Sequence, residues 1–138
     1  MRARIVVTGT EVLEGRVRDE NGAFVASELT ARGVRVARMV VVDDALERIA
    51  AAVADALEGD AELVVVTGGL GPTHDDRTMQ AVAQAAGLPL VEDPVSVERI
   101  RQRMEGVRPR GGQAVREAGI AKQALMPEGA VALPHGLA

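Results

Sequence analysis

Two short apolar runs, each ending at a Thr-Gly pair, constrain the fold of this chain more than any other feature of its sequence. Residues 5–7 and 63–66 are Ile-Val-Val and Leu-Val-Val-Val, without a polar position between them. Unbroken β-branched runs of this length are typical of parallel strands that are buried on both faces. We therefore predict two central strands of a mainly parallel sheet.

Amphipathic helical patterns separate these strands. Apolar residues recur at three- and four-residue spacing over 19–32, 46–57 and 79–86, and each pattern ends at a glycine. A third strand, over 34–42, alternates at its start, which predicts a position nearer the sheet edge. Strands that alternate with helices require right-handed crossovers, so we predict an α/β fold with helices on both faces of the sheet.

Several local features follow from the same patterns. Phe24 is expected to face inward, and Asp43 or Asp44 to cap the 46–57 helix. A weaker helix is predicted over 94–104. The Arg-, Gly- and Pro-rich stretch 106–119 is predicted to be an exposed loop, and residues 123–126 and 130–133 to form a hairpin or two short strands around a Pro-Glu-Gly turn.

Composition limits the classes of function. A chain of 138 residues that is 47% apolar can form one domain with a substantial core. The absence of cysteine excludes disulfides and thiolate chemistry. A net charge of −4 and a single aromatic residue argue against nucleic-acid binding. No run approaches the length of a membrane span or a signal peptide, so we expect a cytoplasmic protein with neither nucleic acid nor membrane as a partner.

A glycine-rich segment after the 63–66 strand is the first candidate for a functional site. Gly68, Gly69 and Gly71 allow backbone N–H groups to turn toward one anion without obstruction by a Cβ. Asp75 and Asp76 follow, and two carboxylates beside a phosphate favour a divalent cation between them. The structural alternative is a tight turn in which one of the two aspartates caps the next helix.

A second loop leaves the 5–7 strand at the same predicted sheet edge. Glu11 in this loop could supply a third carboxylate to a metal or a base for a water, although a solvated loop acid is the simpler interpretation. Asn21 could hold a ligand hydroxyl or cap the first helix. Arg108, Arg110 and Arg116 could close over phosphates, or lie in an exposed basic loop without a specific role.

Three motifs resemble the N-terminal, molybdopterin-binding-like domain of the CinA family of competence- and damage-inducible proteins. The segment Gly-Gly-Leu-Gly-Pro-Thr-His-Asp-Asp-Arg-Thr at 68–78 is the most specific match. Gly-Thr-Glu-Val-Leu-Glu-Gly at 9–15, with Asp19 and Asn21, is similar to a first-loop motif. Lys-Gln-Ala at 122–124 and Pro-Glu-Gly-Ala at 127–130 are similar to a later signature.

The resemblance implies a three-layer α/β/α domain like those of molybdenum cofactor biosynthesis, and metal-dependent hydrolysis of the ADP-ribose pyrophosphate bond. It also implies roles for individual residues. The catalytic residues would be Asp76 and Glu11, and the ligands of a divalent cation (Mg²⁺, Mn²⁺ or Co²⁺) would be Asp75 and Asp76. The residues expected to bind the nucleotide or pterin phosphate are Gly9, Thr10, Asn21, Gly68, Gly69, Gly71, Thr73 and Thr78.

Two alternatives use the same site. One is molybdopterin binding or adenylyl transfer, and the other is a non-catalytic nucleotide-binding or assembly module. We expect residues 1–138 to form one CinA-type domain that is truncated at its C-terminal end and lacks the family's amidohydrolase domain. We also expect a homo-oligomer, because an uncovered strand edge favours self-association.

Overall fold

The structure is a computed structural model, and it describes residues 1–107 and 111–133. Within these ranges helices and strands alternate along most of the chain. The strands are β1 (Arg2–Thr8), β2 (Arg35–Val42), β3 (Leu63–Thr67), β4 (Leu90–Glu92) and β5 (Leu125–Pro127). The helices are α1 (Thr10–Leu13), α2 (Asn21–Ala31), α3 (Leu46–Glu58), α4 (Thr78–Ala86), α5 (Pro94–Arg103) and α6 (Gln113–Gln123).

A parallel sheet with strand order β2-β1-β3 forms the centre of the molecule. Val6 of β1 pairs with Val40 on one side and with Val66 on the other. Because β1 lies between two strands and under helices on both faces, its apolar residues are almost completely buried; Ile5 and Val6 are each 1% exposed. The predicted edge position of the 34–42 strand is confirmed. The prediction that the 63–66 strand is central and buried on both faces is wrong, because β3 forms the other edge of this sheet and its residues are only partly buried.

Helices cover both faces of this sheet and give three layers. Val6 belongs to a buried cluster with residues of α3 and α4, among them Ile49, Val53 and Ala81. Val7 points to the opposite face, where a Cβ on Gly22 of α2 would lie 2.7 Å from its Cγ2 atom. Glycine at position 22 therefore allows α2 to pack directly on β1, and the predicted α/β fold with a parallel sheet is confirmed.

A smaller unit follows α4. Its strands β4 and β5 pair antiparallel, with Val91 opposite Met126. Helix α5 begins at the predicted position because the Asp93 carboxylate accepts a hydrogen bond from the Ser96 N–H at 2.8 Å and Pro94 occupies its first turn. This unit brings α6 against the glycine-rich loop.

Four local predictions are wrong. Phe24 is 64% exposed rather than inward, because α2 rests on the sheet through Gly22. Much of the 106–119 stretch is not a loop, since α6 begins at Gln113 and continues to Gln123. Residues 130–133 form no strand, and β5 pairs with β4 instead. Helix α3 has Ala45 as its N-cap residue and no side-chain cap, so neither Asp43 nor Asp44 caps it.

No helix within residues 1–107 and 111–133 combines the length and apolarity needed to cross a membrane.

Candidate functional site

A polar cavity of about 620 Å³ opens at the carboxyl ends of β1 and β3. Ligands of open parallel sheets bind at this edge, where the loops that leave the strands converge. The residues that line it come from both predicted loops and from the start of α2. They include Thr8, Gly9, Glu11, Asp19, Asn21, Asp44, Gly68, Gly69, Asp75 and Asp76. The two loops therefore meet as expected from the strand ends.

Two glycines turn the chain sharply as it leaves β3. Gly68 has φ +93° and Gly69 has φ +59°, a region of backbone conformation that favours glycine. A Cβ on Gly68 would collide with the Thr8 carbonyl oxygen, and one on Gly69 would lie 2.5 Å from Thr78 Oγ1. The two loops pack closely at this point only because these positions carry no side chain.

Thr78, the first residue of α4, stabilises this turn through its side chain. Its side chain is buried, and its hydroxyl donates a hydrogen bond to the Gly68 carbonyl at 2.7 Å. Thr8 Oγ1 lies 3.2 Å from Thr78 Oγ1. Since a hydroxyl has one hydrogen to donate, Thr8 is the donor in this second bond. The position of Thr78 favours a supporting role for the turn over direct contact with a ligand.

Asp76 organises the end of the same loop. Its carboxylate accepts hydrogen bonds from the Thr73 N–H at 2.9 Å and from the Thr73 hydroxyl at 2.6 Å. Partial burial opposes ionisation, but these bonds, a bond from the Gly71 N–H and the charge of Lys122 outweigh it and lower the pKa of Asp76. Helix α4 has no side-chain cap, so the helix-cap interpretation of Asp75 or Asp76 is wrong.

Asp75 and its neighbour His74 project toward solvent. The side chains are 69% and 84% exposed, and His74 Nε2 lies 3.0 Å from Asp75 Oδ1. Asp75 therefore reaches the cavity from its rim, whereas the Asp76 carboxylate is fixed within the loop. Gly71 and Thr73 do not line this cavity. Gly71 borders a neighbouring cavity of about 250 Å³, together with Leu70, Met79 and Lys122.

The first loop is built around Gly9, Thr10 and Glu11. Gly9 donates a backbone hydrogen bond to the Val42 carbonyl at 3.0 Å, which ties the loop to the end of β2. The Glu11 carboxylate folds back over Gly9, because a Cβ there would lie 2.9 Å from Glu11 Oε1. Glu11 therefore lies on the wall of the cavity that is formed by the loop after β1.

Asp44 lines the cavity, although its position before α3 predicted a helix cap. Its Oδ2 accepts hydrogen bonds from the Thr10 N–H at 2.9 Å and the Thr10 hydroxyl at 2.7 Å. The signal was present in the sequence, since Asp43 and Asp44 directly follow a parallel strand at the same sheet edge as the two loops.

Asn21 lies at the first position of α2 and lines the cavity. Its predicted alternative as a helix cap is wrong. Glu20 is the N-cap residue, and Asp19 Oδ1 accepts the hydrogen bond from the Gly22 N–H at 2.8 Å.

The predicted basic residues lie elsewhere. Arg116 donates a hydrogen bond from Nη2 to the Met104 carbonyl at 2.7 Å and does not line the polar cavity. Arg108 and Arg110 fall outside the described residues.

Six acidic residues line the cavity without forming a compact metal site: Glu11, Asp19, Glu20, Asp44, Asp75 and Asp76. Across residues 1–107 and 111–133, no three Asp, Glu or His side chains come close enough together to hold a metal ion by themselves. Glu11, Asp75 and Asp76 nevertheless share one cavity. Mg²⁺ in phosphate-binding sites usually takes one or two carboxylates and completes its coordination with water and substrate oxygens, so this donor set suits such an ion.

Comparison with known proteins gives a consistent family. The family described as "Probable molybdopterin binding domain" matches residues 4–135. A protein of Moorella thermoacetica named as competence-damage inducible is 44% identical over 140 residues, which cover 100% of this chain and 32% of that protein. The chain thus spans about a third of the length of this curated relative.

Two solved structures share the fold. The crystal structure of a CinA protein of unknown function from Thermoplasma acidophilum superposes with a TM-score of 0.79 and 34% identity, over 92% of this chain and 70% of that one. A molybdopterin biosynthesis protein from Mycobacterium abscessus superposes with a TM-score of 0.58 and 30% identity, over 88% of this chain and 70% of the other.

Proposed function

The chain belongs to the family of molybdopterin binding domains as a CinA-type member, and we propose that its polar cavity binds a nucleotide diphosphate or pterin phosphate and hydrolyses the pyrophosphate bond of ADP-ribose. The observation that carries the proposal is the convergence of Glu11, the Gly68-Gly69 turn and Asp76 on one cavity at the ends of β1 and β3. An anion cradle with acids on two sides suits a diphosphate that is bound together with a cation.

The glycine turn supplies the surface for the phosphates. Gly68 and Gly69 line the cavity with backbone alone, and Thr78 fixes the Gly68 carbonyl so that the turn is held before a ligand binds. A preorganised backbone cradle loses little conformational entropy on binding. Gly9 and Asn21 lie on the opposite wall and are proposed to contact the sugar or ring portion of the ligand, and Thr10 supports that wall through its hydrogen bonds to Asp44.

Asp75 and Asp76 are proposed to hold a divalent cation beside the diphosphate. Their hard oxygen donors fit Mg²⁺, Mn²⁺ or Co²⁺, and the lowered pKa keeps Asp76 ionised at neutral pH. Such a cation neutralises phosphate charge and lowers the pKa of a coordinated water. Asp76 Oδ2 accepts both hydrogen bonds from Thr73, so the carboxylate is held in one orientation beside the cavity.

Glu11 is proposed to orient the attacking water and to accept its proton. The water oxygen bonds to one phosphorus, the bridging phosphorus–oxygen bond breaks, and the second phosphate leaves with the bridging oxygen. ADP-ribose and water then give AMP and ribose 5-phosphate. General-base assistance of this kind typically contributes about 10²–10⁴-fold to a rate.

A panel of substrates tests this proposal. The protein is incubated with ADP-ribose, ATP or molybdopterin plus ATP, with and without Mg²⁺, Mn²⁺ or Co²⁺, while AMP, ribose 5-phosphate and pyrophosphate are measured. We expect AMP and ribose 5-phosphate in equal amounts from ADP-ribose, only with metal. Absence of both products at saturating substrate and metal would contradict the proposed hydrolysis.

Adenylyl transfer to molybdopterin, or molybdopterin binding alone, is the second candidate. The likeness to the molybdopterin biosynthesis protein from Mycobacterium abscessus favours it. In the same assay, pyrophosphate release from ATP that depends on molybdopterin would identify adenylyl transfer. Tight binding of a nucleotide without any product would identify a non-catalytic module.

A further inference from the structure

One face of α6 contacts the glycine-rich loop at several points. Gly119, Lys122 and Gln123 have the i, i+3, i+4 spacing that places residues on one side of a helix. Lys122 is the only lysine in a sequence that otherwise uses arginine for its basic side chains. We call these three residues the α6 face.

Lys122 makes the strongest of these contacts. Its Nζ donates hydrogen bonds to two backbone carbonyls of the loop, those of Thr73 and Asp76, the second at 2.6 Å. Thr73 is also the residue whose N–H and hydroxyl donate hydrogen bonds to the Asp76 carboxylate and so orient it. Lys122 therefore ties together both ends of the turn that presents Asp76.

The other two residues bring the helix close to the same loop. A Cβ on Gly119 would lie 3.1 Å from Pro72 Cβ, so only glycine leaves the present spacing undisturbed. The Gln123 amide points toward the Leu70 carbonyl, at 3.5 Å. Lys122 and Gln123 line the small cavity behind the loop rather than the polar cavity in front of it.

We propose that the α6 face fixes the conformation of the 68–76 loop, with Lys122 as a positioning residue for Asp76 and the phosphate cradle. The identity of the ligand that the loop binds is taken from the proposed function, and this inference rests on it to that extent. An ammonium group suits this place because it is compact and has three rotatable donors for two converging carbonyls, whereas a guanidinium is larger and presents its donors in a fixed plane.

Arg116 provides a matched control on the same helix. It also donates from a cationic side chain to a backbone carbonyl, but that carbonyl belongs to Met104 and not to the loop. K122M and R116M each remove one cationic side chain from α6. K122M removes the donor to the Thr73 and Asp76 carbonyls, whereas R116M removes the donor to the Met104 carbonyl. K122R keeps the charge and changes only its shape.

The experiment compares wild type, K122M, K122R and R116M by three measurements: the dissociation constant for inorganic pyrophosphate with Mg²⁺, kcat and KM for ADP-ribose, and the urea midpoint of unfolding. We expect K122M to weaken pyrophosphate binding and to lower kcat by about 10- to 100-fold, as is typical when a group that orients a ligand-binding residue is lost. K122R should recover part of this loss, and R116M should match the wild type in binding and kcat.

Equal binding and turnover in K122M and wild type would overturn the proposal, as would equal losses in K122M and R116M. If even the wild type neither binds pyrophosphate nor turns over a substrate, the proposed function fails. The role of Lys122 is then tested by the conformation of the 68–76 loop alone. The proposal then stands if K122M, but not R116M, shifts the amide NMR resonances of Gly69, Gly71 and Thr73. It falls if those resonances stay unchanged.

Discussion

The carboxylate of Asp44, at the end of β2, accepts hydrogen bonds from both the backbone N–H and the hydroxyl of Thr10, at 2.9 and 2.7 Å. The Asp44 N–H lies 3.3 Å from the same hydroxyl oxygen. This reciprocal contact joins the loops that leave two adjacent parallel strands, and Glu11 follows Thr10 directly. The position of Glu11 therefore depends on a residue 33 positions later in the sequence.

Replacing Asp44 by alanine should destabilise the protein and impair the site. Two partly buried donors on Thr10 lose their acceptor, which typically costs about 1–3 kcal/mol of unfolding free energy. Urea denaturation measures this loss, and KM for ADP-ribose should rise as the first loop loosens. Asp43→Ala is the control, because Asp43 bonds to Ala45 and Arg48 and not to the first loop. Equal effects of the two variants would contradict the role of Asp44.

Replacing Gly68 by alanine should be far more damaging than the same change at Gly33. Both glycines have positive φ angles, +93° and +77°, so each alanine carries a backbone strain of about 1–2 kcal/mol. A Cβ at Gly68 additionally collides with the Thr8 carbonyl, whereas one at Gly33 meets no atom within 4 Å. The Gly68→Ala variant should therefore have a lower melting temperature and weaker pyrophosphate binding than Gly33→Ala. Equal melting temperatures would mean that the loop adjusts freely.

The hydroxyl of Thr78 should matter more than its methyl group. Thr78→Val keeps the shape of the side chain but leaves the Gly68 carbonyl and the Thr8 hydroxyl without their partner. We expect Thr78→Val to lower the free energy of unfolding by about 1–3 kcal/mol. Thr78→Ser keeps the hydroxyl and should retain most of the wild-type stability. The serine variant thereby separates hydrogen bonding from packing. A valine variant as stable as the wild type would show that the hydroxyl pair is dispensable.

The ionisation of Asp76 should make part of the stability depend on pH. Because its folded-state pKa lies below the value of 3.8 that is usual for an aspartate, the ionised carboxylate stabilises the folded protein above that pH. This contribution is lost as pH falls through the folded-state pKa. The difference in unfolding free energy between wild type and Asp76→Asn should therefore be constant near neutrality and shrink in acid.

Asp93→Asn is the control for this pH experiment. The Asp93 pKa is also lowered, by its bonds to Ser96, so its contribution falls in the same direction. Asp93 lies at the start of α5, outside the polar cavity, and its loss should leave pyrophosphate binding unchanged. A stability difference for Asp76→Asn that grows in acid would contradict the assigned ionisation.

Sequence patterns predicted the parallel strands and the edge at which their loops meet. Unbroken β-branched runs indicated β1 and β3 correctly as strands but did not distinguish the buried β1 from β3, which is partly buried at the sheet edge; parallel topology places the carboxyl ends of both together. This is why the meeting of Glu11 with Asp75 and Asp76 could be expected from the order of strands and loops alone. The patterns failed where local composition conflicts with the fold. Helix α6 contains Gly119 and follows a glycine-rich stretch, and Phe24 lies on a helix that packs through Gly22 instead.

The supporting residues of the site could not be predicted in their roles. Asp44 bonds to Thr10 across 34 positions, and Lys122 bonds to Asp76 across 46. Such contacts depend on how separate elements pack, and no local periodicity encodes them. The Lys-Gln-Ala motif was visible as a family signature, but its contact with the loop required the position of α6.

Metal-dependent hydrolysis at this cavity is measured by the rate of AMP formation from ADP-ribose, compared between wild type and Asp76→Asn at saturating Mg²⁺ or Mn²⁺. A folded Asp76→Asn variant should lose on the order of 10²-fold or more in rate, because it removes an ionised ligand from the proposed metal and phosphate site. Wild-type protein should form AMP only with metal present. Equal rates in the two proteins, or AMP formation by the wild type without metal, would contradict metal-dependent hydrolysis through Asp76.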